Sequence, residues 1–155
     1  LGLRLRDYVS SVNLAIATKA RNKQLETACT LSCLLLWDGQ YRVVHVGDSR
    51  IYLWEGGAIR QLTRDQVREG RLTSTLGHRM DTDIFYAEGA YGEEQRFLLC
   101  SDGLYKRIDP ALLSAAMQRL SRRNLQKTLR QLTDYVIGQG EQDNVSVAFL
   151  MNDER

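Results

Sequence analysis

One apolar run that ends abruptly in Ser-Asp-Gly places the strongest constraint on how this chain folds. Residues 97–100, Phe-Leu-Leu-Cys, are typical of a buried β-strand, and Ser101-Asp102-Gly103 follows directly. The pattern predicts a strand that holds the Asp102 carboxylate at its end, where Gly103 lets the chain turn away. An isolated Asp-Gly pair is more often a simple turn. Two further residues, Asp48 and Asp143, also lie at the edges of β-like runs. Three aspartates in such positions favour a functional site over a simple turn.

Composition fits one soluble domain and argues against several classes of function. The 155 residues are 43% hydrophobic and 26% charged, which is enough for a core. A net charge of +2 with mixed signs gives no basic footprint for nucleic acid. The sequence also shows no transmembrane-length apolar run and no secretory signal. Three cysteines within apolar runs, Cys29, Cys33 and Cys100, predict reduced buried thiols in a cytoplasmic protein.

Hydrophobic periodicity predicts strands and helices that are grouped rather than alternating. In chain order we expect a helix over about 3–24, strands over 28–37, 41–46, 51–54 and 58–62, one helical turn over 72–77, strands over 83–89 and 95–100, helices after Asp109-Pro110 and over about 122–137, and a strand over 144–150. The first four strands predict an antiparallel sheet in meander order. The fold class is therefore α+β, with helices packed on the faces of antiparallel sheets.

The three aspartates define the chemistry that the sequence can support. Asp48, Asp102 and Asp143, gathered at one end of a sheet, could not all stay ionised without a cation. Oxygen ligands favour Mg²⁺ or Mn²⁺ over zinc, and the two histidines lack the spacing of a zinc site. Two such ions bridged by carboxylates typically activate a water for attack on a phosphoryl group. The sequence contains no P-loop, G-x-G-x-x-G or G-x-S-x-G motif.

Five motifs in a fixed order resemble the metal-dependent protein phosphatases of the 2C type, in their bacterial form. They are Gly47-Asp48-Ser49-Arg50-Ile51-Tyr52, Leu62-Thr63-Arg64-Asp65, Leu72-Thr73-Ser74-Thr75-Leu76-Gly77, Leu98-Leu99-Cys100-Ser101-Asp102-Gly103-Leu104 and Gln142-Asp143-Asn144-Val145-Ser146-Val147. Each motif alone is weak evidence, whereas the ordered set, over about residues 5–151, is specific. The resemblance implies a single domain over 1–155, built as a β-sandwich of two antiparallel sheets flanked by helices.

The resemblance also implies an activity and a set of site residues. It implies a monomeric serine/threonine phosphatase that hydrolyses phosphoserine and phosphothreonine in proteins phosphorylated by a kinase, through a metal-activated water. Asp102 and Asp143 would ligate one of two core Mn²⁺ or Mg²⁺ ions, and Asp48 with Asp102 would hold a third. Asn144 would position Asp143 without itself binding the metal. No catalytic residue is implied beyond the metal ligands, and no substrate-binding residue is assigned.

The chain departs from the family pattern in ways that bear on activity. The family's first signature is absent. In the family it is an Asp-Gly pair followed by two glycines, and its Asp bridges both core metals. The only Asp-Gly candidate here, Asp38-Gly39, falls in a hairpin turn. We expect a domain truncated at its N-terminus, without its first strands, with weak metal binding and low activity as it stands. The alternative is a natural pseudophosphatase that binds a phosphoprotein or a kinase. Gln66 stands where the family has His, and the flap over 66–71 is short, which implies an open site.

Other conspicuous side chains are expected to be structural. His45 is predicted to be a half-buried histidine of a sheet, and Trp37 and Trp54 are expected to pack beside hairpin turns. Ser101 is expected to make turn hydrogen bonds, and Arg50 to act as a buried charge partner. Basic residues on the last two helices are expected to form their solvated face; they are Arg119, Arg122, Arg123, Lys127 and Arg130.

Overall fold

The computed structural model describes residues 2–151, with side chains from residue 4, and these form two compact units. Unit 1 comprises the chain up to Ser49 together with Thr63–Tyr91, and unit 2 comprises Arg50–Leu62 and the chain from Gly92. The elements are α1 (Gly2–Asn22), β1 (Leu31–Trp37), β2 (Gln40–Val46), β3 (Arg50–Glu55), β4 (Ala58–Gln61), β5 (Val67–Arg68), β6 (Arg71–Leu72), β7 (Phe85–Ala90), β8 (Arg96–Cys100), α2 (Asp102–Tyr105), α3 (Pro110–Gln118), α4 (Leu125–Gly138) and β9 (Val147–Met151). No helix in the described part of the chain is long and apolar enough to cross a membrane.

Unit 1 contains α1 and an antiparallel sheet of order β1-β2-β7. The hairpin predicted around Asp38-Gly39 is confirmed, with Leu31 opposite Val46 and Trp37 opposite Gln40. Helix α1 is amphipathic, as predicted, and its Val9 packs with Val44 and Val46 of the central strand in the core of this unit. Strand β2 is flanked on both sides, which explains why its side chains are nearly all buried.

Unit 2 contains a four-stranded antiparallel sheet of order β4-β3-β8-β9, together with helices α2, α3 and α4. Strand β8, which the apolar run predicted, lies between β3 and β9, and Leu98 within it is fully buried. Leu104, Met117 and Val136 from the three helices pack against it in one core cluster. Asp109 caps α3 as predicted, because its side chain accepts a hydrogen bond from the Ala111 N–H and Pro110 follows.

The prediction of one meander for the first four strands is wrong. Strands β1 and β2 share one sheet with β7, whereas β3 and β4 share another sheet with β8 and β9. The chain leaves the first sheet at Gly47, which has a φ of +110°. Periodicity identifies a strand and its buried face, but its partner is chosen by contacts between residues that are distant in sequence.

The helical turn predicted over 72–77 is also wrong. Leu72 belongs to the short strand β6, paired with β5, and Leu76 forms a β-bridge with Cys29. The Cys29 N–H donates to the Leu76 carbonyl at 3.1 Å, and the Leu76 N–H donates back at 2.8 Å. The Thr-Ser-Thr stretch has little intrinsic preference for helix, so strand-like partners prevail.

Three side-chain predictions are corrected at the edge strand β1 and the segment before it. Cys29 and Cys33 are exposed, and among the three cysteines only Cys100 is buried. Trp37 is 72% exposed, because it ends an edge strand beside the hairpin turn. Trp54 is half-buried and packs against the core of unit 2, in line with the packing role predicted for it, and the Arg96 guanidinium lies 5.1 Å from its ring centroid.

Candidate metal centre

Asp102 lies where the sequence predicted it, directly after a buried strand. Strand β8 ends at Cys100, Ser101 precedes the short helix α2, and Asp102 is the first residue of that helix. Its side chain is 24% exposed. Because β8 is held on both sides by neighbouring strands, the backbone that carries this carboxylate is fixed.

Hydrogen bonds join the segments that carry Asp102 and Asp143. The Ser101 N–H donates to the Ser146 carbonyl at 3.0 Å, and the Ser146 N–H donates to Ser101 Oγ at 3.0 Å. Ser101 Oγ in turn donates to the Asn144 carbonyl at 3.1 Å. Ser101 is therefore structural, as predicted, although these hydrogen bonds join two distant segments rather than close a turn.

Gly103 lets these two segments approach closely. A Cβ atom at this position would lie 2.8 Å from the Asn144 carbonyl oxygen. In the adjoining ladder Cys100 pairs with Val147, so Asp102 follows β8 and Asp143 precedes β9 at the same end of the sheet. Two of the three predicted aspartates are thus brought to one end of unit 2.

The Asp102 carboxylate already has two donors. Its Oδ1 accepts a hydrogen bond from the Gly103 N–H at 3.0 Å. Its Oδ2 lies 2.6 Å from Lys106 Nζ, one helical turn further along the chain. Sequence reasoning missed Lys106, although its spacing of four residues from Asp102 on a helix is the usual signal for an ion pair.

Asp143 is exposed and lies in a tight turn that Glu141 organises. Its Oδ1 accepts a hydrogen bond from the Asn144 N–H at 2.7 Å, so the contact observed between these residues involves the backbone amide of Asn144. The Asp143 N–H donates to Glu141 Oε1 at 3.0 Å. Glu141 was not predicted, and the signal for it is an acidic residue two positions before a loop aspartate.

Glu141 also joins this turn to the segment after α2. Arg107 Nε donates to Glu141 Oε2 at 3.3 Å. The hydrogen bond from the Asp143 N–H, followed by that from Gln142 and the charge of Arg107, lowers the pKa of Glu141. A carboxylate with these partners stays ionised and holds the Asp143 turn in one conformation.

Asp48 belongs to unit 1, whereas Asp102 and Asp143 belong to unit 2. Asp48 is half-buried and follows Gly47, whose backbone N–H and carbonyl are both hydrogen-bonded to Gln66. The Gly47 N–H donates to Gln66 Oε1 at 2.7 Å, and the Gly47 carbonyl accepts from the Gln66 N–H at 2.8 Å. Gln66, at the position where the family has His, thus holds the turn that carries Asp48.

His45 is fully buried beneath the same turn, rather than half-buried as predicted, because it lies on the central strand β2. Its Nε2 lies 2.8 Å from the Gly47 carbonyl, which can only accept, so Nε2 carries the proton. Nδ1 lies 2.9 Å from Ser32 Oγ, which also lies 3.2 Å from the Ser49 carbonyl oxygen. Burial lowers the pKa of His45 below 6.5, and the hydrogen bond to the Gly47 carbonyl, followed by the charges of Asp65 and Asp48, opposes this shift only in part.

We expect this histidine to make the chain less stable in mild acid. Its folded pKa is lower than its unfolded value of 6.5, so its contribution is complete above that pH and declines as the pH falls toward the folded pKa. The decline is at most about 1.4 kcal/mol per pH unit. Urea unfolding at pH 7.5, 6.5 and 5.5 measures it. His45→Asn should flatten the pH dependence, whereas the exposed His78→Asn should not; equal slopes for all three proteins would contradict the prediction.

The donor set of unit 2 fits a hard divalent cation. Asp102 and Asp143 offer carboxylate oxygens at one end of the sheet, and Mg²⁺ and Mn²⁺ commonly take one or two carboxylates and complete their coordination with water. Among the residues that the structure describes, no three Asp, Glu, His or Cys side chains gather closely enough to hold a metal by themselves. The site therefore fits an ion with an incomplete protein shell.

A comparison with protein-family models identifies the family of the chain. Residues 4–136 match the family model described as protein phosphatase 2C. This chain belongs to the protein phosphatase 2C family. The match covers most of the sequence, including four of the five motifs that suggested it, and the Asp143 motif follows it.

The curated relatives that this chain matches include bacterial serine/threonine phosphatases. The serine/threonine protein phosphatase PstP of Mycobacterium tuberculosis is 30% identical over an alignment of 167 positions. The alignment covers 93% of this chain and 32% of PstP. The serine/threonine phosphatase stp of Listeria monocytogenes is 25% identical, with coverage of 96% of this chain and 67% of stp. The chain thus spans about a third of the length of PstP.

Solved structures show the same fold. The catalytic domain of PstP, determined in complex with two manganese ions, superposes with a TM-score of 0.82 at 27% identity, covering 96% of this chain and 70% of that one. PppA, a regulatory component of the type VI secretion system of Pseudomonas aeruginosa, gives a TM-score of 0.82 at 24% identity, covering 94% of this chain and 66% of that one. The α+β fold of a 2C-type phosphatase, predicted from the motifs, is confirmed.

Proposed function

We propose that this chain is part of a Mn²⁺- or Mg²⁺-dependent serine/threonine protein phosphatase. The observation that carries the proposal is the meeting of Asp102 and Asp143 at one end of the β8–β9 ladder, on segments joined through Ser101. Membership of the 2C family and the names of its relatives support it. The manganese ions of the PstP catalytic domain support the choice of cofactor.

Asp102 and Asp143 would hold one metal ion, whose chemistry when bound is to activate a water for attack on the phosphoryl group. Ser101 keeps the two segments together, and the Asn144 N–H orients the Asp143 carboxylate. Glu141 fixes the Asp143 backbone. These residues hold the backbone segments that carry the two carboxylates in defined positions. The third-ion role of Asp48 remains a prediction that the family resemblance supports.

The substrate we propose is a protein phosphorylated on serine or threonine by a kinase. The relatives are named as serine/threonine phosphatases, which supports this class of substrate. A monomeric, cytoplasmic enzyme and a single domain over 1–155 remain parts of the prediction. No finding favours the pseudophosphatase alternative over the enzyme.

The test is phosphate release from a phosphothreonine peptide by the protein that the complete reading frame encodes. We expect hydrolysis that needs Mn²⁺ or Mg²⁺ and stops with EDTA. A phosphotyrosine peptide of the same sequence should be hydrolysed far more slowly by a serine/threonine phosphatase. Phosphothreonine hydrolysis that continues in EDTA, or no hydrolysis at any metal concentration, would overturn the proposal.

A further inference from the structure

Lys106 is a cation placed on the carboxylate that would bind the metal. Its Nζ lies 2.6 Å from Asp102 Oδ2, a short distance for a charge-assisted hydrogen bond. The Asp102 side chain is 24% exposed and that of Lys106 is 56% exposed. The carboxylate is therefore the more buried member of the ion pair, and the lysine side chain is the more exposed one.

A divalent cation and the Lys106 ammonium would compete for the same oxygen. Asp102 Oδ1 already accepts from the Gly103 N–H, so Oδ2 is the oxygen that the ammonium covers. Coulomb repulsion adds to this competition, since a doubly charged ion bound to Asp102 would lie within a few ångströms of the ammonium. Both effects act against metal binding.

We infer that Lys106 is the resident counter-ion of Asp102 and lowers the affinity of this site for Mn²⁺ and Mg²⁺. The inference rests on the proposed function, because it takes Asp102 as a metal ligand. Lys106 makes metal occupancy depend on displacement of an ion pair within the chain. The Asp102 carboxylate consequently has a cation beside it whether or not metal is bound.

The sign of the effect separates this role from a structural one. An ion pair between residues four apart on a helix contributes little to stability, so its loss should leave the fold intact. If Lys106 only supported the site, its removal would weaken metal binding. If Lys106 competes with the metal, removal of its charge strengthens binding.

The experiment is a Mn²⁺ titration of the 155-residue chain, with free Mn²⁺ measured by electron paramagnetic resonance. We expect Lys106→Gln to bind Mn²⁺ roughly three- to tenfold more tightly than wild type at low salt, with a smaller gain at high salt. Lys106→Arg keeps the charge and should stay within about twofold of wild type. Lys127→Gln removes an exposed lysine of α4 in the same unit and should also change little.

Asp102→Asn separates failure of the inference from failure of the proposed function. Tighter binding by Lys106→Gln that is lost in the Lys106→Gln, Asp102→Asn double variant supports the inference. Equal or weaker binding by Lys106→Gln, with wild-type binding that needs Asp102, overturns the inference alone. Binding that does not need Asp102 in either protein, or no binding in either, overturns the metal site and the inference together.

Discussion

Gly47→Ala is expected to reduce the free energy of unfolding by about 3–5 kcal/mol. Gly47 has a φ of +110°, a conformation that an L-residue rarely adopts. An added Cβ would also overlap Thr30, lying 2.7 Å from its Cβ and closer still to its Cγ2. Backbone strain and steric overlap therefore add together in this variant. Urea unfolding, followed by circular dichroism, measures the loss.

Two further variants separate strain from overlap at Gly47. Gly70, in the same unit, has a φ of +74° but nothing within 4 Å of an added Cβ, so Gly70→Ala should cost only about 1 kcal/mol. Thr30→Ser in the Gly47→Ala background removes the overlapping methyl and keeps the hydroxyl that contacts Ser49, and it should recover part of the loss. A Gly47→Ala variant no less stable than Gly70→Ala would contradict the steric explanation.

Leu104→Ala is expected to reduce the free energy of unfolding by about 2–5 kcal/mol. Leu104 is fully buried in the core of unit 2, where its cluster includes Leu98, Met117 and Val136. The substitution removes apolar contacts and leaves a cavity. The surrounding strand and helices are closely packed, so they cannot move in to fill it. Because Leu104 lies two residues after Asp102, loosened packing should also weaken the hold on this carboxylate.

Leu112→Ala is the matched control for Leu104→Ala. Leu112 is 48% exposed on α3, so the same change in side chain should cost less than about 1 kcal/mol. Thermal unfolding of both variants against wild type measures the difference. Equal losses would mean that burial of Leu104 does not determine its contribution.

Local patterns predicted the elements better than their pairing. The Asp38-Gly39 hairpin, the Asp109 cap of α3 and the strand ending at Cys100 follow from nearby residues, and the structure confirms all three. The separation of β2 from β3 into different sheets depends on long-range pairing with β7 and β8. Single-sequence periodicity contains no information about these partners.

The carboxylates of the candidate site could be predicted from the sequence, whereas the residues that contact them were much less predictable. Asp102 and Asp143 follow from ordered motifs at strand ends, and the structure places them at the same end of one ladder. Glu141 and Lys106 act through a turn and a helix, so their contacts become visible only in three dimensions. The burial of His45 likewise depends on which strands flank β2.

Hydrolysis of the phosphothreonine peptide by aspartate variants, across a Mn²⁺ titration, tests the proposed metal centre most directly. Asp102→Asn and Asp143→Asn should each reduce metal-dependent hydrolysis by at least about 100-fold, because a lost ligand harms the site more than a lost supporting group. Asp134→Asn, at an exposed position of α4, should retain wild-type activity. Wild-type activity in either Asp102→Asn or Asp143→Asn would contradict the assignment of these two carboxylates as ligands of the catalytic metal.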